Sequence, residues 1–144
     1  MIDLEGYAQL LGLTPPLVER LQVGARAIEA LLSQEIVDCF VSEQEGTGEG
    51  SPIYETAWFF VGTNVLELWL SGALRFDCVA LDRLIRWDVT ARDFAFAGVS
   101  DESELSVELA FTSSLGGSLH ATGRNCERLE HVLRERIAPS LATP

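Results

Sequence analysis

Apolar and polar residues alternate through much of the stretch 57–122, and this alternation predicts most of the fold. A period of two sends successive side chains to opposite faces of a β-strand, so each alternating run predicts a half-buried strand. Short turns such as Gly62-Thr63-Asn64 separate neighbouring runs and predict antiparallel hairpins. The segment 126–137 instead places its apolar residues at helical spacing, which predicts one amphipathic helix after the last strand.

Two further helices are predicted within the first 33 residues. Asp3 is expected to cap a short helix that stops at Gly12. Thr14 is expected to cap a second helix, with Pro15 at the first helical position, where its missing N–H is not needed. The buried face of the second helix is expected to contain its regularly spaced apolar residues: Leu17, Val18, Leu21, Ala25, Ile28, Leu31 and Leu32.

The candidate strands are short and closely spaced. They are 35–41, 57–61, 65–70, 74–78, 85–90, 94–97, 105–111 and 118–122. The run 79–85 fits either a short helix or a strand–turn–strand. Gly116-Gly117 is expected to form a turn, Asn125 to cap the last helix and Pro139 to end it.

Together these elements predict an α+β fold. N-terminal helices are followed by a strongly bent antiparallel sheet, or partly open barrel, of about seven strands, which a C-terminal helix caps. The expected organisation is an N-terminal helical segment at 1–33, a sheet domain at 34–138 and a tail at 139–144. A chain of 144 residues is long enough for one hydrophobic core of this kind.

Charge and cysteine content exclude several classes of partner. Ten basic residues, all Arg, face 22 acidic ones, so the net charge is −12, which repels nucleic acid and anionic lipid. The three cysteines form no C-x-x-C motif, so no zinc site is predicted. The first residues lack a secretory pattern, and no apolar run reaches the ~18 residues of a membrane span. We therefore expect a cytoplasmic protein.

The segment 42–51 combines glutamates with three glycines and predicts an acidic loop. It lacks the spaced oxygen ligands of a calcium loop, which favours a solvated connector over a cation site. Together with the open edge of the sheet and nearby arginines, it is the candidate binding surface. The residues of this surface are Glu43, Glu45, Glu49, Arg83, Arg86 and Arg92.

Catalytic signatures are absent from the sequence. It contains neither a phosphate-binding loop nor a nucleophile elbow, and Cys126 and His131, five positions apart, point to different faces of a helix. We expect His120 and His131 to be surface or core residues, and we predict no catalytic, cofactor-binding or metal-binding residues.

The aromatic residues fit two interpretations. They either fill the core or line a pocket inside a curved sheet. The pocket would need a general base, for which Asp77, Asp82, Asp88 and Asp93 are the candidates. The hairpin 58–69 is apolar on both faces, so each face needs a cover, and a second subunit is one source of it. This predicts self-association.

Three segments resemble the bacterial pleckstrin-homology (PH)-like domain family. They are 31–37, a helix end leading into a strand near an acidic residue; 62–66, a Thr-Asn hairpin turn; and 79–85, an aliphatic strand and turn. The resemblance covers about 34–138 and implies a bent antiparallel sheet closed by its last helix. Basic residues usually follow the Thr-Asn turn, whereas Val65 and Leu66 stand here, and the loop that is basic in lipid-binding members is rich in Glu. The resemblance therefore does not extend to phosphoinositide binding.

Three functions fit these observations. The first is a non-enzymatic binding or scaffold module of PH-like fold that acts through protein–protein contacts, including self-association. The second is a cone-shaped α+β enzyme or small-molecule carrier with an aromatic-lined pocket. The third is a small acidic secretion-type chaperone, which would need a helix inserted between strands, within 79–87.

Overall fold

A computed structural model describes residues 3–44, 52–93, 101–112 and 116–141. Four α-helices and seven strands lie in these ranges. Two helices precede the strands in the sequence and two follow them, so the fold belongs to the α+β class. The elements are α1 (Leu4–Leu11), α2 (Pro15–Leu32), β1 (Asp38–Glu43), β2 (Tyr54–Val61), β3 (Asn64–Trp69), β4 (Phe76–Ala80), β5 (Leu84–Arg92), β6 (Glu104–Phe111), β7 (Gly116–Thr122), α3 (Asn125–Val132) and α4 (Ala138–Leu141).

Local signals set the limits of the two N-terminal helices, although Thr14 precedes α2 without the capping hydrogen bond that the sequence predicts. The Asp3 side chain accepts a hydrogen bond from Gly6 N–H at 2.9 Å, and Gly12 ends α1 in the left-handed conformation at φ +67°. Pro15 begins α2. The predicted buried face of α2 is wrong at Leu31, which is 74% exposed, because the face turns away from the core at the last turn.

The strands form two antiparallel sheets of adjacent neighbours. One sheet has the order β1-β2-β3-β4 and the other has the order β5-β6-β7. Val61 pairs with Asn64 across the predicted turn, where Gly62 adopts φ +56°. Within the described residues the strands do not close into a barrel. The α+β class, the antiparallel strands and the C-terminal helix are therefore confirmed.

Several predicted boundaries are wrong, each for a physical reason. β1 begins at Asp38 and continues through Ser42 and Glu43, which the sequence placed in the acidic loop. Gly116 and Gly117 lie in β7 and pair with Ala110 and Leu109, because the ladder with β6 outweighs the low strand propensity of glycine. The predicted strand 94–97 lies outside the described residues.

The ambiguous run 79–85 contains a 3₁₀ turn at Leu81–Arg83 between β4 and β5. The helix that a secretion-type chaperone would require within 79–87 is therefore not formed. At the chain's end, a π-helical turn follows α3, and Pro139 lies inside α4 instead of ending the helix. The π turn shifts the hydrogen-bond register, and Pro139 then occupies a first helical turn, where its missing N–H is tolerated.

Contacts between residues divide the chain into two compact units. The first contains Met1–Val41 with Glu55–Val79, and the second contains Ser42–Tyr54 with Ala80–Pro144. In the first unit, α2 lies close against β3: a Cβ added at Gly24 would fall 2.5 Å from Leu68 Cδ2. Gly24 therefore allows the helix to approach the sheet.

The hairpin of β2 and β3 is buried on both faces within one chain. Trp58 and Phe60 point to one face, Phe59 and Val61 to the other, and all four are at most 3% exposed. The covers that both faces were expected to need are therefore present without a second subunit, and self-association stays a prediction that this hairpin does not support.

In the second unit, α3 covers one face of the three-stranded sheet. Cys126, Leu129 and Val132 of α3 are fully buried, and the helix packs against β7 and β6. The alternating residues Leu105, Val107, Leu109 and Phe111 of β6 supply the buried side of the sheet. This leaves the opposite face of the same sheet to polar residues.

Candidate functional site

The three-stranded sheet presents a polar face, and we call it the polar sheet face. It consists of the side chains opposite to the one that α3 covers. Its residues are Arg86, Asp88, Thr90 and Arg92 of β5, Glu104, Ser106 and Glu108 of β6, and Ser118, His120 and Thr122 of β7. The strand register aligns them in cross-strand rows, of which Thr90–Ser106–His120 is the central one.

His120 is the centre of a group of polar contacts on this face. Its Nδ1 lies 2.6 Å from Ser106 Oγ, and its Nε2 lies 3.5 Å from Glu104 Oε1. In the next row, Ser118 Oγ donates to Glu108 Oε1 at 2.7 Å. Because strands hold both ends of each contact, the polar groups are fixed in place before any partner arrives.

Along its central row, the polar sheet face changes from buried at His120 of β7, through half-buried Ser106, to exposed at Thr90 of β5. The side chain of His120 is 5% exposed and that of Glu104 is 37% exposed. At the far strand, Arg86 Nε and Asp88 Oδ2 form an ion pair of 3.1 Å with both side chains largely in solvent. The charged side chains of β5 are therefore exposed to solvent, while His120 of β7 is buried and held by its polar contacts.

Side chains close the outer edge of β7. Ser42 Oγ accepts the His120 N–H at 3.0 Å, and the Glu43 carboxylate accepts the Thr122 N–H at 2.9 Å. Glu43 also accepts from Thr122 Oγ1 and from Asn125 Nδ2, the latter at 3.0 Å. The His120 and Thr122 N–H groups of this edge are thus occupied by side chains from the end of β1 rather than by a backbone ladder.

Asn125 was predicted to cap the last helix, and that prediction is wrong. Asn125 is the first residue of α3, and Arg124 precedes it without a side-chain cap. The Asn125 amide instead donates to Glu43, because leaving a buried carboxylate without donors costs more than leaving a helix N-terminus without a side-chain cap.

The buried charge of Glu43 also affects two neighbouring groups. Burial, and then the negative charge of Glu43, raise the pKa of Tyr54 to about 12. Burial raises the pKa of Cys126 to about 12, with smaller contributions from Glu43 and Glu104. The Cys126 thiol therefore stays protonated and serves as a packing group rather than a nucleophile.

The structure separates the six residues of the predicted binding surface. Glu43 is 4% exposed and hydrogen-bonded, so it is not part of a solvent-facing surface. Arg86 and Arg92 are exposed on the polar sheet face, and Arg83 is exposed in the turn before β5. Glu45 and Glu49 lie outside the described residues.

The Ser106–His120–Glu104 contacts have the order of a nucleophile, a base and an orienting carboxylate. Hydrolysis also needs N–H donors that point at a developing oxyanion. β6 pairs with β5 on one side and with β7 on the other, so the N–H groups around Ser106 are used in the two ladders. The geometry therefore favours a structural network over a catalytic triad.

The candidate bases of the enzyme hypothesis are open to solvent or already paired. Asp82, Asp88 and Asp93 are exposed, and Asp77 Oδ2 lies 3.4 Å from Arg75 Nη2. A groove of about 480 Å³ lies between α2 and the end of β3, and its lining is aliphatic and polar, with Leu17, Arg20 and Leu74 among its residues. The described residues contain no cluster of His, Cys, Asp and Glu suited to a metal ion.

A titratable carboxylate lies in the first unit on β3. Burial, and then the negative charges of Asp77 and Glu55, raise the pKa of Glu67 from 4.5 to about 6. Such a group binds its proton more tightly in the folded chain, so its contribution to stability is present below the unfolded pKa and is lost as pH rises through 6.

Glu67→Gln is therefore expected to stabilise the protein relative to wild type at pH 7.5 but to make little difference near pH 4.5. Glu67 is half-buried, so solvent screens part of the interaction that raises its pKa. We therefore expect the free energy of unfolding to rise by about 1 kcal/mol at pH 7.5. Urea unfolding of both proteins across this range measures it. Glu108→Gln, which removes the same charge from an exposed position, reports the general effect of net charge, and a gain of the same size in that variant would contradict the prediction.

Sequence reasoning missed the network around His120. The available signal was the alternation in β6 and β7, because apolar Val107 and Leu119 must share a face, which places Ser106 and His120 together on the other. The partners of Glu43 carried no such signal, since Thr122 and Asn125 lie far from it along the chain.

In the part of the chain that is described, no helix has the length and apolarity required to cross a membrane. Comparison of the chain with protein-family models, with curated proteins and with solved structures gave no match.

Proposed function

We propose that the protein is a non-enzymatic binding module of PH-like fold that contacts a protein partner through the polar sheet face. The observation that carries this proposal is the gradient across that face, from the buried His120 network to the exposed charges of β5. Seven antiparallel strands followed by a helix support the PH-like part of the proposal.

The charges of the polar sheet face favour a protein partner over nucleic acid. Two arginines stand beside three carboxylates there: Arg86, Arg92, Asp88, Glu104 and Glu108. Nucleic acid and anionic lipid require a basic patch, which a face of mixed sign in a chain of net charge −12 does not provide. A second protein can match such a pattern of alternating charges, which gives specificity in an interface.

The rigid scaffold supports the same conclusion. The face lies on a sheet with α3 packed behind it, so its charges are positioned before binding and little entropy is lost on contact. Charge reversal on the middle strand of the face is the most direct probe. Glu108 is exposed, lies in the middle strand and is hydrogen-bonded only at the surface, to Ser118.

The test is quantitative affinity capture with the tagged full chain from extracts of its own cells, comparing wild type, Glu108→Arg and Glu19→Arg. Glu19 is exposed on α2, so its reversal matches the change in charge away from the face. We expect a protein that wild type and Glu19→Arg retain equally and that Glu108→Arg retains at least about tenfold less. Equal retention by all three proteins, or no specific protein on wild type, would overturn the proposal.

A further inference from the structure

Among the described residues, β5 is an edge strand, because no strand pairs with its outer side. It lies at one end of the order β5-β6-β7, and it is exposed along most of both faces. At the other end of this sheet, Ser42 and Glu43 occupy the donors of β7. No described side chain caps the outer backbone groups of β5 in this way, so the regular part of this edge, residues 86–92, can pair with another strand.

The hydrogen-bond pattern identifies which backbone groups of β5 point outward. His120 and Thr122 direct their N–H groups away from β6, to Ser42 and Glu43. Backbone N–H and C=O groups point to alternate sides along a strand. The odd-numbered residues of β7 therefore form the backbone hydrogen bonds with β6, and the even-numbered residues of β6 form those with β5. The Thr112 N–H bond to Arg83 O agrees with this. The outward N–H and C=O groups of β5 therefore belong to Trp87, Val89 and Ala91.

The sequence of this strand is self-complementary about Thr90. In an antiparallel pair centred there, Asp88 of each copy faces Arg92 of the other, and Thr90 faces Thr90. These are pairs without backbone hydrogen bonds between them, in which side chains approach most closely, at about 4.5 Å between Cα atoms. The outward groups of Val89 in one copy meet those of Ala91 in the other, as the ladder requires.

Other registers with the same backbone parity are worse. Centring the pair on Val89 places Arg86 opposite Arg92, and centring it on Asp88 places the two aspartates opposite each other. Centring it on Ala91 gives no pair of opposite charges within β5. Centring it on Trp87 also places Arg86 opposite Asp88, but the register shift between Leu84 and Arg86 then limits the regular pairing to residues 86–88. The register about Thr90 pairs Asp88 with Arg92 within the uninterrupted part of the strand, residues 88–92, and it places the exposed side chain of Val89 opposite Ala91 of the other copy.

We propose that two copies of this chain associate through β5, antiparallel and centred on Thr90, to form one continuous six-stranded sheet. An interface with two-fold symmetry must be complementary to itself, and the segment from Asp88 to Arg92 satisfies this in charge and in hydrogen-bond direction. The polar sheet face then doubles in extent. This association does not require the partner-binding role proposed above.

The first experiment measures the mass of the full chain by sedimentation over a range of micromolar concentrations. Wild type is expected to dimerise, and Asp88→Arg, which places four arginines across the interface, is expected to raise the dissociation constant at least about tenfold. Asp88→Arg combined with Arg92→Asp restores the opposite charges and is expected to dimerise again. A wild type that stays monomeric, or a dimer that Asp88→Arg leaves unchanged, would overturn the proposal.

The second experiment fixes the register and does not depend on charge variants. With exposed Cys78 changed to Ser, Thr90→Cys is expected to form a disulfide-linked dimer on mild oxidation. Asp88→Cys in the same background is the control, because its two copies would lie about 13 Å apart along the strands. Cross-linking of Asp88→Cys but not of Thr90→Cys would exclude this register. Circular dichroism confirms that each variant is folded.

Discussion

Replacing Glu43 with alanine is expected to lower the free energy of unfolding by about 3 kcal/mol, measured by urea denaturation at neutral pH. Glu43 is buried at the end of β1, and its carboxylate accepts hydrogen bonds from Thr122 N–H, Thr122 Oγ1 and Asn125 Nδ2. The alanine variant leaves these donors in a dry site without an acceptor, which costs more than the hydrogen bonds themselves contribute.

Glu43→Gln separates the need for an acceptor from the need for a charge. The amide oxygen can replace Glu43 Oε2, which receives Thr122 N–H and Asn125 Nδ2, and the amide nitrogen can donate to the Thr122 hydroxyl. We therefore expect glutamine to cost only about 1 kcal/mol. If Glu43→Ala and Glu43→Gln destabilise the protein equally, the negative charge of Glu43 matters more than its hydrogen bonds. If Glu43→Ala costs no more than Glu108→Ala at the surface, the hydrogen bonds of Glu43 do not stabilise the fold.

The Glu43 site also shows where sequence patterns stop being informative. Glu43 begins a run rich in Glu and Gly, and composition alone assigns such a run to a solvated loop. Its donors lie 79 and 82 positions further along the chain, in β7 and at the start of α3. No local period can report contacts at that separation, so tertiary context decided both the strand boundary and the placement of Asn125.

Signals contained within a few residues were reliable by comparison. Asp3 and Gly12 set the limits of α1, and Gly62 set the turn between β2 and β3, because each acts through its own backbone conformation or an immediate neighbour. The alternation in β6 also predicted the buried face of the three-stranded sheet.

The same reasoning explains what could be predicted of the candidate site. Arg86 and Arg92 were placed on the candidate binding surface, and both are exposed on the polar sheet face. His120 was expected to be a surface or core residue, and it is buried with Ser106 and Glu104 as neighbours. The alternation within a strand predicts which of its residues are exposed. The polar partners of a residue depend instead on which strand lies beside it, and the residue's own strand does not report that.

Packing of α3 on the three-stranded sheet leads to the second large effect. Leu129→Ala is expected to lower the free energy of unfolding by about 3 kcal/mol, since Leu129 is fully buried where α3 meets β7 and β6. The loss combines the transfer of the missing methyl groups with the cavity that the rigid sheet cannot fill. Urea unfolding, with the slope of the transition compared between variants, measures it.

Glu130→Ala is the matched control, one position along the same helix on its solvent side. It removes an exposed ion pair with Arg134 Nη1, at 3.2 Å, so it is expected to change stability by less than about 0.5 kcal/mol. Alanine has a higher helix propensity than leucine or glutamate, so propensity alone would make both variants slightly more stable. A Leu129→Ala variant that is less stable than Glu130→Ala therefore reports the loss of packing. If Leu129→Ala and Glu130→Ala prove equally stable, α3 does not contribute to the core of the sheet, and the support behind the polar sheet face is absent.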